Sequence, residues 1–118
     1  HLYLHENQIS NIKPLSYLDN LTHLYLGSNQ IKDITVLSDL NELTWLYLYE
    51  NQISNIKPLS YLDNLTHLNL GCNEIRDISP LLGLTNLTWI SIEDNPFPSL
   101  SSISTIHHLQ LHGISVNY

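Results

Sequence analysis

The chain has 118 residues, 42% of them hydrophobic and 13% charged, with a formal net charge of −7. That length suits one domain, residues 1–118, and no apolar run approaches the roughly 18 residues needed for a bilayer-spanning helix, so no membrane insertion by this segment is expected. Its four cations, Lys13, Lys32, Lys57 and Arg76, are too few and too scattered to track a phosphate backbone, which excludes nucleic acid as the partner.

Leu2-Tyr-Leu4 opens with the alternation of a strand, in which neighbouring residues point to opposite faces. Past Asn7 and Ile9 the apolar residues step by three, through Ile12, Leu15, Leu18 and Leu21. That step predicts a tight 3₁₀-like or irregular turn rather than a long α-helix. Pro14 stands where the turn would begin, as do Pro58 and Pro80 later, where a missing N–H does no harm. The same order then recurs from Leu24-Tyr-Leu26, Leu46-Tyr-Leu48, Leu68-Asn-Leu70 and Ile90-Ser-Ile92. In the last unit the run of three-residue steps reads Leu100, Ile103, Ile106, Leu109. Its closing strand is weak, because His112 takes a slot held by Leu or Ile in every earlier unit. That strand is either distorted or slipped, with Leu109 and Leu111 as the inward pair.

The period is 22 residues, marked by Asn7, Asn29, Asn51, Asn73, Asn95 and Asn117, which makes five to six repeats. Each unit reads L-x-x-L-x-L-x-x-N-x-I, the signature of leucine-rich repeats. A buried amide at each strand-to-loop bend can bond the backbone of its own and adjacent coils, so the asparagines are expected to be scaffold. Residues 1–34 and 45–78 differ at only six positions, so a two-coil block of 44 residues has been copied. Neither end carries a recognisable cap and methionine is absent, so the segment is expected to come from something longer.

Asn73-Glu-Ile-Arg-Asp-Ile-Ser-Pro-Leu81 with Leu84-Thr-Asn-Leu87, echoed by Asn29-Gln-Ile-Lys-Asp-Ile34 and Lys57-Pro-Leu59, resembles the 22-residue repeats of bacterial internalins across essentially the whole chain. The resemblance implies an α/β leucine-rich-repeat fold: a right-handed solenoid with parallel strands on the concave face and 3₁₀ or irregular turns on the convex face. It also implies a secreted or bacterial cell-surface protein that binds host or cell-surface proteins through the concave face, with a cytoplasmic location left open. It assigns no binding residue, because those positions vary between members.

With the register set, the outward columns follow. They read His1, His23, Trp45, His67, Trp89, Leu111; then Tyr3, Tyr25, Tyr47, Asn69, Ser91, Gly113; then His5, Gly27, Tyr49, Gly71, Glu93, Ser115; then Glu6, Ser28, Glu50, Cys72, Asp94, Val116. Both tryptophans and four of seven tyrosines share this face, whereas the turn side has only Tyr17 and Tyr61. Tyr and Trp combine large contact area with a polar tip, so they favour binding sites, although strands accept aromatics for packing alone. The expected partner-binding set is His23, Tyr25, Trp45, Tyr47, Tyr49, His67, Asn69, Trp89 and Glu93.

No catalytic chemistry is legible. Cys72 is a lone cysteine in a slot held by Ser28 in the copied block, and no nucleophile–base pair stands out. His23 and His67 lie two strands, roughly 10 Å, apart and cannot share a metal ion. Neither a cofactor nor a metal is expected. Asn20, Asn64 and Asn86 head glycosylation sequons that coincide with the repeat consensus itself. The expected function is protein recognition; a carbohydrate-binding surface, with rings stacked on sugars, and a ligand-free spacer are the alternatives.

Overall fold

The computed structural model describes the backbone of residues 1–118 and every side chain except those of Ser99 and Ser101. Six short strands, β1 (Leu2–Tyr3), β2 (His23–Tyr25), β3 (Trp45–Tyr47), β4 (His67–Asn69), β5 (Trp89–Ser91) and β6 (Ser115–Asn117), form one parallel sheet in sequence order. From β1 to β5 each residue pairs with the one 22 positions later, as in His23 with Trp45 and Trp45 with His67. The predicted turns are 3₁₀ segments at Lys13–Tyr17, Thr35–Asp39, Lys57–Tyr61 and Ser79–Leu81, and the prolines at 14, 58 and 80 lie in their first positions. Each turn is primed by a side chain: Asn11, Asp33, Asn55 and Asp77 accept the N–H two residues on. Hydrogen bonds from Thr35, helped by the charge of Lys13, hold the Asp33 carboxyl below its ordinary value.

The core lies between sheet and turns. Leu24, Leu46, Leu68 and Ile90 point inward from the strand centres, and Leu37, Leu59 and Leu81 meet them from the turns, all fully buried. Burial at this level contributes about 1.5–3 kcal/mol for each such side chain. Two polar columns tie the coils together. Asn51 accepts the Ile31 N–H at 2.9 Å and donates to the carbonyls of Leu26, Leu48 and Tyr49, a pattern shared by Asn29, Asn73 and Asn95. The hydroxyls of Thr44, Thr66 and Thr88 each donate to the threonine carbonyl one coil back, at 3.1 Å.

The last coil departs from the expected pattern. Residues Ser99–Leu111 form an α-helix, α1, and β6 pairs with β5 at a step of 26, Trp89 opposite Ser115. Four added residues amount to about one helical turn, which is how a helix replaces a 3₁₀ segment without breaking the sheet. Helical spacing turns Ser102, Ile106 and Leu109 inward and leaves Leu100 and Ile103 exposed, so these two leave the inward columns expected of them. The final strand does not use Leu109 and Leu111 as an inward pair: Leu109 is buried from the helix, Leu111 is exposed, and Val116 faces Ile90.

Gly113, at φ 78°, stops α1. Its N–H bonds the Gln110 carbonyl and the Ile114 N–H bonds the Leu109 carbonyl, while Ile114 and Leu109 are both buried. This is a Schellman close, which places a residue without a Cβ penalty at the left-handed position. Gly113→Ala should therefore lower stability by about 1 kcal/mol, read as a shifted urea midpoint. Gly83→Ala, at a position without positive φ and with open space around a Cβ, should cost nothing measurable.

Candidate functional site

The candidate site is the outward face of the sheet, and the strand alternation that buries Leu24, Leu46 and Leu68 is what builds it. In β2, β3 and β4 the central residue is buried and the two flanking ones are half-exposed. His23 and Tyr25, Trp45 and Tyr47, His67 and Asn69 thus stand together on one surface, as expected, and Trp89 continues it on β5.

The rings stack along the sheet. Trp45 lies between His23 and His67, with centroids at 5.6 and 4.0 Å and planes within 19° and 16°. His1 continues the row at 3.9 Å from His23, and Trp89 lies 6.4 Å from His67. In the next column Tyr3 stacks on Tyr25 at 4.6 Å, Tyr25 meets Tyr47 edge-on at 5.2 Å, and Tyr47 leans towards Trp89 at 6.2 Å. Such contacts add about 0.5–1.5 kcal/mol per pair and hold the rings in place relative to one another. Desolvation, with the neighbouring Tyr3 and Tyr47 phenols, pushes the Tyr25 hydroxyl above its ordinary value; desolvation alone does so for Tyr47. Both remain protonated donors at neutral pH.

Two glycines set the relief of the face, a role the sequence reading missed. Tyr49 lies against Gly27, where a Cβ would collide with its ring, and Glu93 lies over Gly71, where a Cβ would sit 3.3 Å from Cγ of Glu93. The column therefore alternates a bare backbone with a large side chain leaning onto it. Alternation of Gly with Tyr and Glu was the signal available for it. Glu93 also accepts hydrogen bonds from Ser91 and from Asn117, at 3.3 and 3.1 Å.

Asn117 is itself a correction. It falls on the 22-residue step of the asparagines, yet the longer last coil carries it into the column of Asn69 and Ser91 on the outward face. Its amide bonds Ser91 and Glu93 rather than the backbone bonded by Asn95 and its predecessors. Leu111, Gly113 and Val116 leave the outward columns for the same reason, and Ser115 moves to the first of them, beside Trp89.

Where each strand ends, Glu6, Ser28, Glu50, Cys72 and Asp94 all take positive φ, between 52 and 56°. Left-handed backbone at a residue with a Cβ costs about 1–2 kcal/mol, offset here by inter-coil hydrogen bonds. The N–H of Ser28, for example, reaches the Tyr49 carbonyl at 2.9 Å. Side chains of neighbouring coils join in pairs: Ser28 donates to Glu50 at 2.6 Å and the Cys72 thiol to Asp94 at 3.6 Å. Desolvation, the bond to Asp94, and the charges of Asp94, Glu50 and Glu93 together push that thiol up, which makes it a poor nucleophile. Among the described residues no three His, Cys, Asp or Glu side chains are arranged to hold a metal ion.

The model of a leucine-rich-repeat family, in two copies, matches residues 1–39 and 41–83. The crystal structure of an internalin, inlF, from Listeria monocytogenes superposes with a TM-score of 0.89 at 34% identity, over 96% of this chain and 32% of that one. An internalin C2 of the same organism gives 0.79 at 38% identity, over 88% of this chain and 47% of that one. A leucine-rich-repeat protein of Leptospira interrogans gives 0.88 at 25% identity, over 99% of this chain and 30% of that one. The chain thus spans just under a third of one Listeria protein and just under a half of the other. A sequence search of curated proteins returns no match.

Proposed function

Because the chain belongs to the leucine-rich-repeat family, with coils of the internalin type, we propose that it is a recognition module that binds a protein on the outward face of its sheet. The observation that carries this reading is where the copied block has changed. Between residues 1–34 and 45–78 the differing pairs are His1/Trp45, His5/Tyr49, Tyr25/Asn69, Ser28/Cys72, Gln30/Glu74 and Lys32/Arg76. Four of the six fall in the outward columns, which make up eight of the 34 positions. Every core and asparagine position is unchanged. Change confined largely to one face, on an unaltered frame, is what a surface adapting to a ligand would leave.

The proposed binding residues are His23, Tyr25, Trp45, Tyr47, Tyr49, His67, Asn69, Trp89 and Glu93, with Trp45 at the centre. Centrally placed, half-buried Trp and Tyr are the usual anchors of protein interfaces. At the centre of the face the ring packing favours a protein over a sugar: both faces of Trp45 are occupied by imidazoles, whereas stacking on a pyranose needs a free face. No catalytic step is proposed for this module. Its coils are of a surface-protein type, so we place it outside the cell.

Trp45→Ala supplies the test. A partner captured from a cell-surface protein extract should lose at least about 2 kcal/mol of affinity, roughly 30-fold, when measured against the purified partner. Binding to arrayed glycans that disappears in the same variant would replace the protein reading with the sugar one. Equal retention of the partner by Trp45→Ala would remove the face from the account.

A further inference from the structure

We infer that the occupant of this face is a basic protein segment, one that brings Lys or Arg to the ends of the strands and apolar side chains to their beginnings. The inference rests on the recognition reading above and adds the partner's chemistry to it. Charge is segregated across the molecule. Lys13 and Lys57 belong to the 3₁₀ turns, and Lys32 and Arg76 to the loops that lead into such turns, so none of the four cations lies in an outward column. The ionised groups of the face are carboxylates: Glu6, Glu50 and Asp94 at the bends, and Glu93 over Gly71.

The hydrogen bonds that Glu50, Glu93 and Asp94 accept on this face come from Ser28, Ser91, Asn117 and Cys72, neutral groups that leave the charge in place. Desolvation, the bond to Asp94 and the charges of Asp94, Glu50 and Glu93 together push up the Cys72 thiol that lies among them. Hydrogen bonds from Ser28 and Cys72 hold the Glu50 and Asp94 carboxylates in place, so less entropy is lost in meeting a cation.

The rest of the face fits the same segment. Five positions, about 16 Å of extended chain, separate the Trp and His column at the strand starts from the acidic column at their ends. A chain running across the coils meets both, with apolar groups on one side and cations on the other. Trp89 stacks on His67, and on its far side β6 presents the small Ser115, which leaves ring surface for a guanidinium.

The experiment follows intrinsic fluorescence, since both tryptophans lie on the face. The 118-residue chain is titrated with three 16-residue peptides of alternating leucine with arginine, with serine or with glutamate. The arginine peptide should bind at least tenfold more tightly than the serine one, with an affinity that falls as salt rises. The combined Glu50→Gln, Glu93→Gln, Asp94→Asn variant should lose that margin. Glu50→Lys, Glu93→Lys, Asp94→Lys should instead gain the glutamate peptide, a result that misfolding cannot imitate. Absence of arginine-peptide binding, or binding unchanged in both triple variants, overturns the inference. Equal binding of the serine peptide, lost in Trp45→Ala, overturns the basic occupant while the recognition face stands. Arginine-peptide binding that survives both Trp45→Ala and Trp89→Ala overturns the face itself.

Discussion

Asn51→Ala should lower the stability of the chain by about 4 kcal/mol and its Tm by roughly 15 °C. The side chain is 8% exposed and satisfies four backbone groups, the Ile31 N–H and the carbonyls of Leu26, Leu48 and Tyr49. Alanine leaves the Ile31 N–H unpaired where two coils meet, at about 1–3 kcal/mol, and removes one of two donors from each carbonyl, at about 0.5–1.5 kcal/mol apiece; Asn29, Asn73 and the Ser28 N–H keep the second. Asn7→Ala is the matched control. Its amide bonds only the Leu4 and His5 carbonyls, both in its own coil, and the residue is exposed. Urea unfolding followed by far-ultraviolet circular dichroism checks both. An Asn51→Ala loss no greater than that of Asn7→Ala would show that the amide column does not hold the coils together.

The second large effect concerns the apolar core. Leu46→Ala, in the middle of β3 and fully buried, should cost about 3–5 kcal/mol, through lost transfer energy and the cavity left among Leu24, Leu68 and the turns. Leu2→Ala removes the side chain at the equivalent place in the first coil, where it is only half-buried, and should cost about 1 kcal/mol. The contrast is a property of stacked architectures, in which each coil is supported only by its neighbours. Equal penalties at the two positions, by the same unfolding measurement, would contradict it.

Much of this architecture was legible because the repeat writes each constraint several times. One Asn at a bend is ambiguous, but six at a fixed step identify the column, and the strand leucines then give the register that brings Trp45 beside His23 and His67. The failures came where repetition stopped. In the last coil the three-residue steps Leu100, Ile103, Ile106 and Leu109 read as a continuation, because periods of three and 3.6 barely diverge over ten residues. Pro98 at the start and Gly113 at the end were the local signs of an independent helix. Once that helix forms, the coil is four residues longer, and Asn117 leaves the scaffold for the surface. The glycine floor beneath Tyr49 and Glu93 was hidden for another reason: a column lists residue types, and only coordinates show which way a side chain leans.

The 44-residue duplication also bears on how such a molecule can change in size. The coil that starts at residue 45 joins the one before it through the Trp45 N–H to the Thr22 carbonyl and the Asn51 amide to the Leu26 carbonyl, and residues 1–34 repeat the same threonine, asparagine and leucine positions, so a block spliced ahead of them would continue every column. Reach along the solenoid can therefore grow or shrink in increments of two strand spacings, about 10 Å. Each increment carries its own eight outward positions on an unaltered frame, so unequal recombination alone would lengthen or shorten the written surface while every internal column keeps its sequence.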